Sequence, residues 1–273
     1  MQSLICFISD FGLDDTWVGV CHAVIHRSCP QAHVVDLAHS IPPYDIRKGA
    51  AVAASGVHQV PDAIHLVVVD PGVGAGRRDI CIRTAEGSWL VGPDNGVLVP
   101  AALRAGGVER AVAIDPAKID VRSPLATFHA RDILAPAAAA LACGVEASSL
   151  GSPVDPGTLA AAPFELCKLG DGEVIGEVLE ADRFGSLRFN VPAEQLDRLG
   201  LKAPVLEMSL GHNQVRAPLG ATYSDVRAGD PIAVVDSSGW LTLALNRASA
   251  VERFGVEDGT AVRIRAVNGD VRP

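Results

Sequence analysis

The fold of the first half of this chain is decided by one stretch, residues 64–74, which reads IHLVVVDPGVG. An apolar, mostly β-branched run stops at Asp70, and Pro71, three glycines and Arg77 follow. This pattern indicates a buried strand with a carboxylate at its carboxyl end, where open α/β sheets bind their ligands. Asp70 is therefore either a working carboxylate or a turn residue of the ordinary kind, and the stretch alone leaves both open.

On either side of this stretch, apolar strands alternate with helical segments, a pattern typical of a sheet covered by helices. The sequence predicts an α/β domain with a largely parallel sheet flanked by helices over residues 1–160. Its predicted helices are 18–27, 46–57, 97–105 and 132–141. Its predicted strands are 4–9, 33–37, 64–69, 79–83, 89–91 and 110–114.

The pattern changes after Gly144. Residues 146–163 are rich in Ser, Gly, Pro and Ala and show little periodicity, so this stretch is predicted to be a linker. Short strands separated by Gly, Asp and Asn turns follow, at 173–179, 186–190, 205–209, 231–235 and 261–266. They predict a smaller β-barrel-like domain over residues 168–273.

Composition narrows the class of partner. The 273 residues are 48% hydrophobic and carry a net charge of −9, which favours a large core and opposes binding to nucleic acid or to an anionic membrane. We also expect no membrane-spanning segment, because no apolar run is long enough. The six cysteines form no CxxC pair and are predicted to be free thiols of a cytoplasmic protein.

Polar clusters follow several predicted strands and should meet at one edge of the sheet. They centre on Asp10, Asp36, Asp70 and Asp94, and a further cluster around His129 opens the Ala-rich helix. Taken singly, each acidic residue could be a turn former or a helix cap, and a lone histidine is more often structural. The sequence has no HxH, HExxH or DxDxDG motif, so we predict no metal site.

Five ordered motifs resemble one family: DFG at 10–12, HSIP at 39–42, VDPGVG at 69–74, PDNG at 93–96 and FHARD at 128–132. The chain resembles the S-adenosylmethionine (SAM) hydroxide adenosyltransferases, or SAM hydrolases, which are related to fluorinating and chlorinating enzymes. The resemblance extends into the second half through DRFG at 182–185 and DSSG at 236–239.

The resemblance implies that Asp70, Arg77 and His129 surround a nucleophilic water. In the halogenating relatives a Tyr stands at the position of Asp70, and the histidine is missing. The expected reaction is therefore hydrolysis of SAM to adenosine and methionine by attack at the ribose C5′. Whether Asp70 or His129 takes the proton stays open.

The resemblance also implies the substrate contacts. Asp10 would bind the ribose hydroxyls. Asp182 and Ser237, with Phe184 nearby, would hold the methionine end. Ser186 stands where relatives commonly have Asn. The remaining predicted substrate-binding residues are Asp15, Tyr44, Asp94, Asn95, Thr127 and Phe128 in the first domain, and Tyr223 and Asn246 toward adenine.

SAM is then the substrate and no cofactor is expected. The resemblance further implies a homotrimer whose active sites lie between the first domain of one subunit and the second domain of its neighbour. Three alternatives remain: a SAM-dependent halogenase, a nucleoside-binding protein without turnover, and a metal phosphohydrolase.

Overall fold

The computed structural model describes residues 4–119, 127–170, 172–198 and 205–267, and the chain divides into two units, Met1–Phe164 and Glu165–Pro273. The strands of the first domain are β1 (Leu4–Ser9), β2 (His33–Ala38), β3 (Ile64–Val68), β4 (Asp79–Thr84), β5 (Trp89–Pro93), β6 (Val108–Ile114) and β7 (Gly151–Val154). Its α-helices are α1 (Trp17–Ser28), α2 (Ile46–Gln59), α3 (Val99–Arg104), α4 (Ala135–Ala142) and α5 (Ala147–Leu150).

The strands of the first domain form one sheet in the order β2-β1-β3-β5-β4-β6-β7. The pairings from β2 to β5 are parallel, and those from β5 to β7 are antiparallel. The sheet is therefore mixed, and the prediction of a largely parallel sheet is not confirmed. For β4 and β5 the reason is their short connection, because a parallel crossover needs a dozen or more residues.

Helices cover the sheet because its strands are apolar on both faces. Ile5 and Phe7 of β1 lie in a buried cluster with α1 and α4. Residues of the opposite face meet α2 closely: a Cβ on Gly49 would stand 2.7 Å from the side chain of Val69. This close approach explains a glycine in the middle of a helix, where its propensity is poor.

One turn of π-helix, Ala130–Leu134, leads into α4, and the N–H of Ala135 donates to the carbonyl of Ala130. His129 stands at the N-terminal boundary of this turn. The start of the predicted helix 132–141 therefore differs from a regular α-helix, and π-turns of this kind occur often at functional sites.

The prediction that residues 146–163 form a linker is wrong. This stretch contains α5, β7 and a 3₁₀ turn, Pro156–Thr158, and β7 pairs with β6 at the edge of the sheet. A Cβ on Gly151 would lie 1.7 Å from the carbonyl oxygen of Ala113, so a small residue is required at this edge. Composition misled here because a short edge strand can carry Gly and Pro.

The second domain is an antiparallel sheet in the order β12-β11-β15-β9-β10-β14-β13, with β8 beside β9. A bridge between Leu219 and Ala233 brings the two ends of this path together, so the predicted barrel-like domain is confirmed. Its strands are β8 (Lys168–Gly170), β9 (Glu173–Ala181), β10 (Leu187–Pro192), β11 (Val205–Leu210), β12 (Asn213–Pro218), β13 (Pro231–Val235), β14 (Trp240–Leu245) and β15 (Ala261–Val267). Its helices are α6 (Ala193–Arg198) and α7 (Ala250–Phe254).

The cysteines only partly match their prediction as free thiols. Cys29, just after α1, forms a disulfide with Cys143, just after α4, so the prediction is wrong for this pair. The two helices lie side by side although the cysteines are 114 residues apart, which spacing along the sequence could not reveal. Burial raises the pKa of the other four thiols to about 11 or 12, namely those of Cys6, Cys21, Cys81 and Cys167.

Within the described residues, no helix has the length and apolar character needed to cross a membrane.

Candidate active site

The loop after β3 turns the chain back on itself and returns Arg77 to Asp70. The N–H of Val73 donates to the carbonyl of Asp70 at 3.3 Å, and a second turn follows at once. Gly74 and Gly76 have φ of 75° and 85°, values that other residues rarely adopt. The two glycine positions therefore explain how a carboxylate and a guanidinium seven positions apart come face to face.

Asp70 and Arg77 form a two-pronged ion pair. Nε of Arg77 donates to Oδ1 of Asp70 at 2.8 Å, and Nη2 donates to Oδ2. Nη1 of Arg77 donates to Oδ1 of Asp79. The three side chains are nearly buried, with exposures of 12% for Arg77, 7% for Asp70 and 6% for Asp79. Burial acts to lower the pKa of Arg77, but the two carboxylates outweigh it and the pKa is raised, so this guanidinium stays charged.

His129 joins this cluster through Asp79. Its Nδ1 lies 2.7 Å from Oδ2 of Asp79 and 3.4 Å from Nη2 of Arg77. The structure thus brings together the three predicted catalytic residues and adds a fourth group that sequence reasoning missed. The available signal was an aspartate two positions after Arg77, directly before the apolar residues Ile80, Cys81 and Ile82 of the same strand.

Asp10 lies beside this cluster at the same edge of the sheet. Its N–H donates to the carbonyl of Val68, two residues before Asp70. Oδ2 of Asp10 accepts the backbone N–H of Tyr44 at 2.9 Å. Tyr44 is 72% exposed and has a φ of 70°, so its loop is held in an uncommon conformation by this bond.

Aromatic side chains form a small wall next to His129. Phe128 meets Phe11 and Trp17 edge to face, with ring centroids 5.9 and 6.5 Å apart. The guanidinium of Arg131 stacks over Phe128 at 5.0 Å. Sequence reasoning had not included Trp17, which is 46% exposed and could contact a ligand. The other predicted residues of this region, Asp15 and Thr127, are exposed.

The side chains of Asp94 and Asn95 form hydrogen bonds within the first domain. Asp94 accepts from Nε of Arg78 at 2.7 Å and from the N–H of Ala160 at 2.8 Å. Nδ2 of Asn95 donates to the carbonyl of Val69 at 2.8 Å. Both residues therefore brace the loop that carries Asp70, and their predicted contact with substrate stays a prediction.

The second domain contains a cavity of about 1010 Å³. All six residues that the sequence assigned to this half of the substrate site line it: Asp182, Phe184, Ser186, Tyr223, Ser237 and Asn246. Three further charged residues that sequence reasoning missed also line the cavity: Arg188, Asp236 and Arg247.

The turn between β9 and β10 shapes one side of the cavity. Oδ1 of Asp182 accepts the backbone N–H groups of Phe184 and Ser186 at 2.8 and 2.9 Å. Phe184 is 82% exposed. The tight turn orients the carboxylate of Asp182 and presents an apolar ring beside it. Asn246 also lines the cavity, and its Nδ2 donates to the carbonyl of Val226 at 2.7 Å.

A buried ion-pair group lies along the cavity wall. Arg188 pairs with Glu180 and donates from Nε to Oδ2 of Asp236 at 2.5 Å. Burial acts to lower the pKa of Arg188, but the carboxylates outweigh it and raise that pKa. The pKa of Tyr223 is raised by burial and by the negative charges of Asp182 and Asp236, so its phenol is neutral near pH 7.

These features define a class: a two-domain protein with a charged cluster at the strand ends of an α/β sheet and a barrel with a cavity of small-molecule size. The particular family follows from comparison of the sequence with known families. The chain belongs to the SAM hydroxide adenosyltransferase family, because the N-terminal domain model matches residues 5–151 and the C-terminal domain model matches 176–263.

Individual relatives agree with this assignment. The chain is 40% identical over 262 residues to a protein from Salinispora tropica named (R)-S-adenosyl-L-methionine hydrolase, covering 96% of this chain and 97% of the relative. It is 39% identical to a protein of the same name from Thermus thermophilus, covering 94% and 98%. A fluorinase from Nocardia brasiliensis is more distant, at 25% identity over 97% of both chains.

Solved structures resemble the fold over nearly its full length. A crystal structure of an uncharacterized conserved protein from Thermotoga maritima has a TM-score of 0.86 and 32% identity, covering 96% of this chain and 99% of that one. A conserved hypothetical protein from Thermus thermophilus has a TM-score of 0.76 and 37% identity, with the same coverage.

Proposed function

We propose that this protein hydrolyses S-adenosyl-L-methionine to adenosine and L-methionine by attack of water at the ribose C5′. The observation that carries the proposal is the assembly of Asp70, Arg77 and His129 at one edge of the sheet. The relatives at 39–40% identity, which are named (R)-S-adenosyl-L-methionine hydrolase, support it, whereas the fluorinase is only 25% identical.

In this reaction the leaving group needs little activation, whereas the nucleophile needs a great deal. The sulfonium already departs as a neutral thioether when the C5′–S bond breaks with its electron pair going to sulfur. Water is a poor nucleophile near neutral pH, so a positioned base is needed as the new O–C5′ bond forms. Arg77, held charged by two carboxylates, would orient the cluster, and exclusion of bulk water would make the attacking oxygen more reactive.

The substrate would be held by residues of both domains. Asp10 suits the ribose diol because a carboxylate accepts hydrogen bonds from two neighbouring hydroxyls. The second-domain cavity would take the adenine and methionine ends, with Asp182 and Ser237 on the amino acid and Tyr223 and Asn246 on the base. No metal or organic cofactor enters this proposal.

Product analysis tests the proposal directly. Each epimer at the sulfonium is incubated with the protein and with EDTA, and the products are separated by chromatography. We expect adenosine and methionine in equal amounts, with faster consumption of the R epimer that the relatives' names specify. Absence of adenosine, or its loss with EDTA, would contradict the proposal.

The same assay separates the alternatives. 5′-Chloro-5′-deoxyadenosine formed in high chloride would indicate a halogenase, and release of phosphate from phosphate esters would indicate a phosphohydrolase. Tight binding of adenosine without turnover of SAM would indicate a nucleoside-binding protein.

The proposed assembly is a homotrimer with active sites shared between subunits, as the family resemblance implies. Co-expression of two inactive variants, His129→Ala and Asp182→Ala, tests it, because each substitution lies in a different domain. Mixed oligomers with shared sites should regain part of the activity, whereas sites confined to one subunit should not. Light scattering would give the number of subunits.

The proposed location is the cytoplasm. The disulfide between Cys29 and Cys143 opposes it, since stable disulfides are rare in reducing compartments. Alkylation of thiols in freshly lysed cells, followed by mass measurement, would show whether this pair is oxidised there.

A further inference from the structure

Asp79 connects the two charged partners of the predicted water site. Its Oδ1 accepts from Nη1 of Arg77, and its Oδ2 lies 2.7 Å from Nδ1 of His129. The side chain is 6% exposed and belongs to β4, a strand paired on both edges. Asp79 is therefore held rigidly, and the family resemblance assigned it no role.

The contact with Asp79 determines where His129 carries its proton. A carboxylate paired with a guanidinium is ionised and can only accept, so at 2.7 Å the Nδ1 of His129 must be the donor. Neutral imidazole has one protonated nitrogen, which leaves Nε2 as the basic atom. The more distant Nη2 of Arg77, at 3.4 Å, cannot donate to a protonated Nδ1.

Asp70 is in a different situation. Both of its oxygens accept from Arg77, in the bidentate arrangement that satisfies a carboxylate most completely. A proton moving to Asp70 would break a charge-assisted bond, whereas a proton moving to Nε2 of His129 would create an imidazolium already paired with Asp79.

We propose, on the basis of the proposed function, that Asp79 is a positioning residue that fixes the tautomer of His129 and makes its Nε2 the proton acceptor. As the water oxygen bonds to C5′, the C5′–S bond breaks with its electron pair moving to sulfur. The water proton passes to Nε2, and the imidazolium later releases it to solvent. Asp79 stabilises that imidazolium without taking the proton itself, as in other carboxylate–histidine pairs.

Replacement of Asp79 by Asn is a sharp test because Arg77 decides how the amide lies. Nη1 of Arg77 requires an acceptor, so the amide oxygen of the new side chain should turn toward Arg77. The NH₂ group then faces Nδ1 of His129 and forces the imidazole proton onto Nε2. The variant has nearly the same shape as the natural protein but places the proton on the wrong nitrogen.

We expect Asp79→Asn to lower kcat by about 10²–10⁴-fold, the range found for lost general-base function. KM should change by less than about threefold, because ground-state contacts remain. In ¹⁵N-histidine NMR spectra, the natural protein should show a protonated Nδ1 at His129, and the variant a protonated Nε2.

The matched control is Asp155→Asn in the same domain. Asp155 caps a surface turn by accepting the N–H of Gly157 at 3.0 Å, a bond that Asn can also accept, so kcat should be unchanged.

Two results would overturn the inference: a proton on Nε2 of His129 in the natural protein, or an unchanged kcat in Asp79→Asn. Should the variant fail to fold, the spectrum of the natural protein still decides. If the natural protein forms no adenosine from SAM, the proposed function fails, while the NMR result still reports separately on Asp79 and His129.

Discussion

Each domain of this protein contains a nearly buried arginine between two carboxylates. In the first domain Arg77 contacts Asp70 and Asp79, and in the second Arg188 contacts Glu180 and Asp236. The carboxylates raise the pKa of both arginines above the ordinary value despite burial. The two groups are thus alike in composition and electrostatics.

The two groups differ in what one of their carboxylates, Asp79 or Asp236, contacts besides the arginine. Asp79 contacts the imidazole of His129, a side chain whose ring nitrogens can donate or accept a hydrogen bond. Asp236 leads to backbone N–H groups, those of Ser238 at 2.8 Å and Trp240 at 3.1 Å, which fix the turn before β14. The same ion-pair unit therefore contacts a histidine in the first domain and fixes a turn beside the cavity in the second.

The largest effect should come from His129→Ala. Removing the proposed proton acceptor should lower kcat by about 10²–10⁴-fold while leaving the affinity for SAM nearly unchanged. Steady-state kinetics and calorimetric binding of SAM measure the two consequences separately. His58→Ala, a change at an exposed histidine near the end of α2, is the control. An equal loss of binding and turnover would assign His129 a structural role and remove the contrast between the two groups.

The second effect concerns stability. Arg188→Leu leaves Glu180 and Asp236 in place without their guanidinium, and breaking a buried pair in this way costs about 3–5 kcal/mol. Denaturant unfolding of the purified variant measures this loss of unfolding free energy.

Arg216→Leu in the same domain is the matched control. Its pair with Glu207 is exposed, so the expected loss is only about 0–1 kcal/mol. Similar losses in the two variants would show that the Arg188 group does not hold the domain together.

The smallest effect is a dependence on alkaline pH. Burial and two nearby carboxylates raise the pKa of Tyr223 above 10.0, so the folded protein favours the neutral phenol. This stabilisation is complete below pH 10.0 and is lost as pH rises further, because the unfolded chain ionises first. Tyr223→Phe should therefore lose less stability than the natural protein between about pH 8 and pH 11.

Urea unfolding at the two pH values measures this difference, and Tyr44→Phe serves as the control because Tyr44 is 72% exposed. Identical pH dependence in the natural protein and Tyr223→Phe would show that the negative charges of the cavity wall do not act on the phenol.

The sequence was sufficient for features that depend on local pattern. The strand that ends before Asp70 was predictable from its apolar run. The gathering of Asp70, Arg77 and His129 was implied by the family resemblance that the ordered motifs carry. Asp79 was not, because an aspartate at the start of a strand has many explanations until its partners are known. Arg188 and Asp236 were not predicted for the same reason. Their place in the cavity depends on strands that pair across the barrel.

The mixed sheet could have been predicted more accurately. The predicted strands 79–83 and 89–91 were separated by only five residues, too few for a parallel crossover. By contrast, the disulfide between Cys29 and Cys143 and the edge strand β7 depend on contacts distant in sequence. No local periodicity reports such contacts.

The π-turn before α4 makes the orientation of His129 depend on the number of residues between it and the helix. Each residue in a helix advances about 100° around its axis, so a one-residue deletion within 130–134 would rotate His129 by about that angle relative to α4. Such a deletion could restore an ordinary α-helix and improve its hydrogen bonding, yet it would carry the imidazole away from Asp79. At this site the locally less favourable helix is the one that aligns the histidine with its carboxylate.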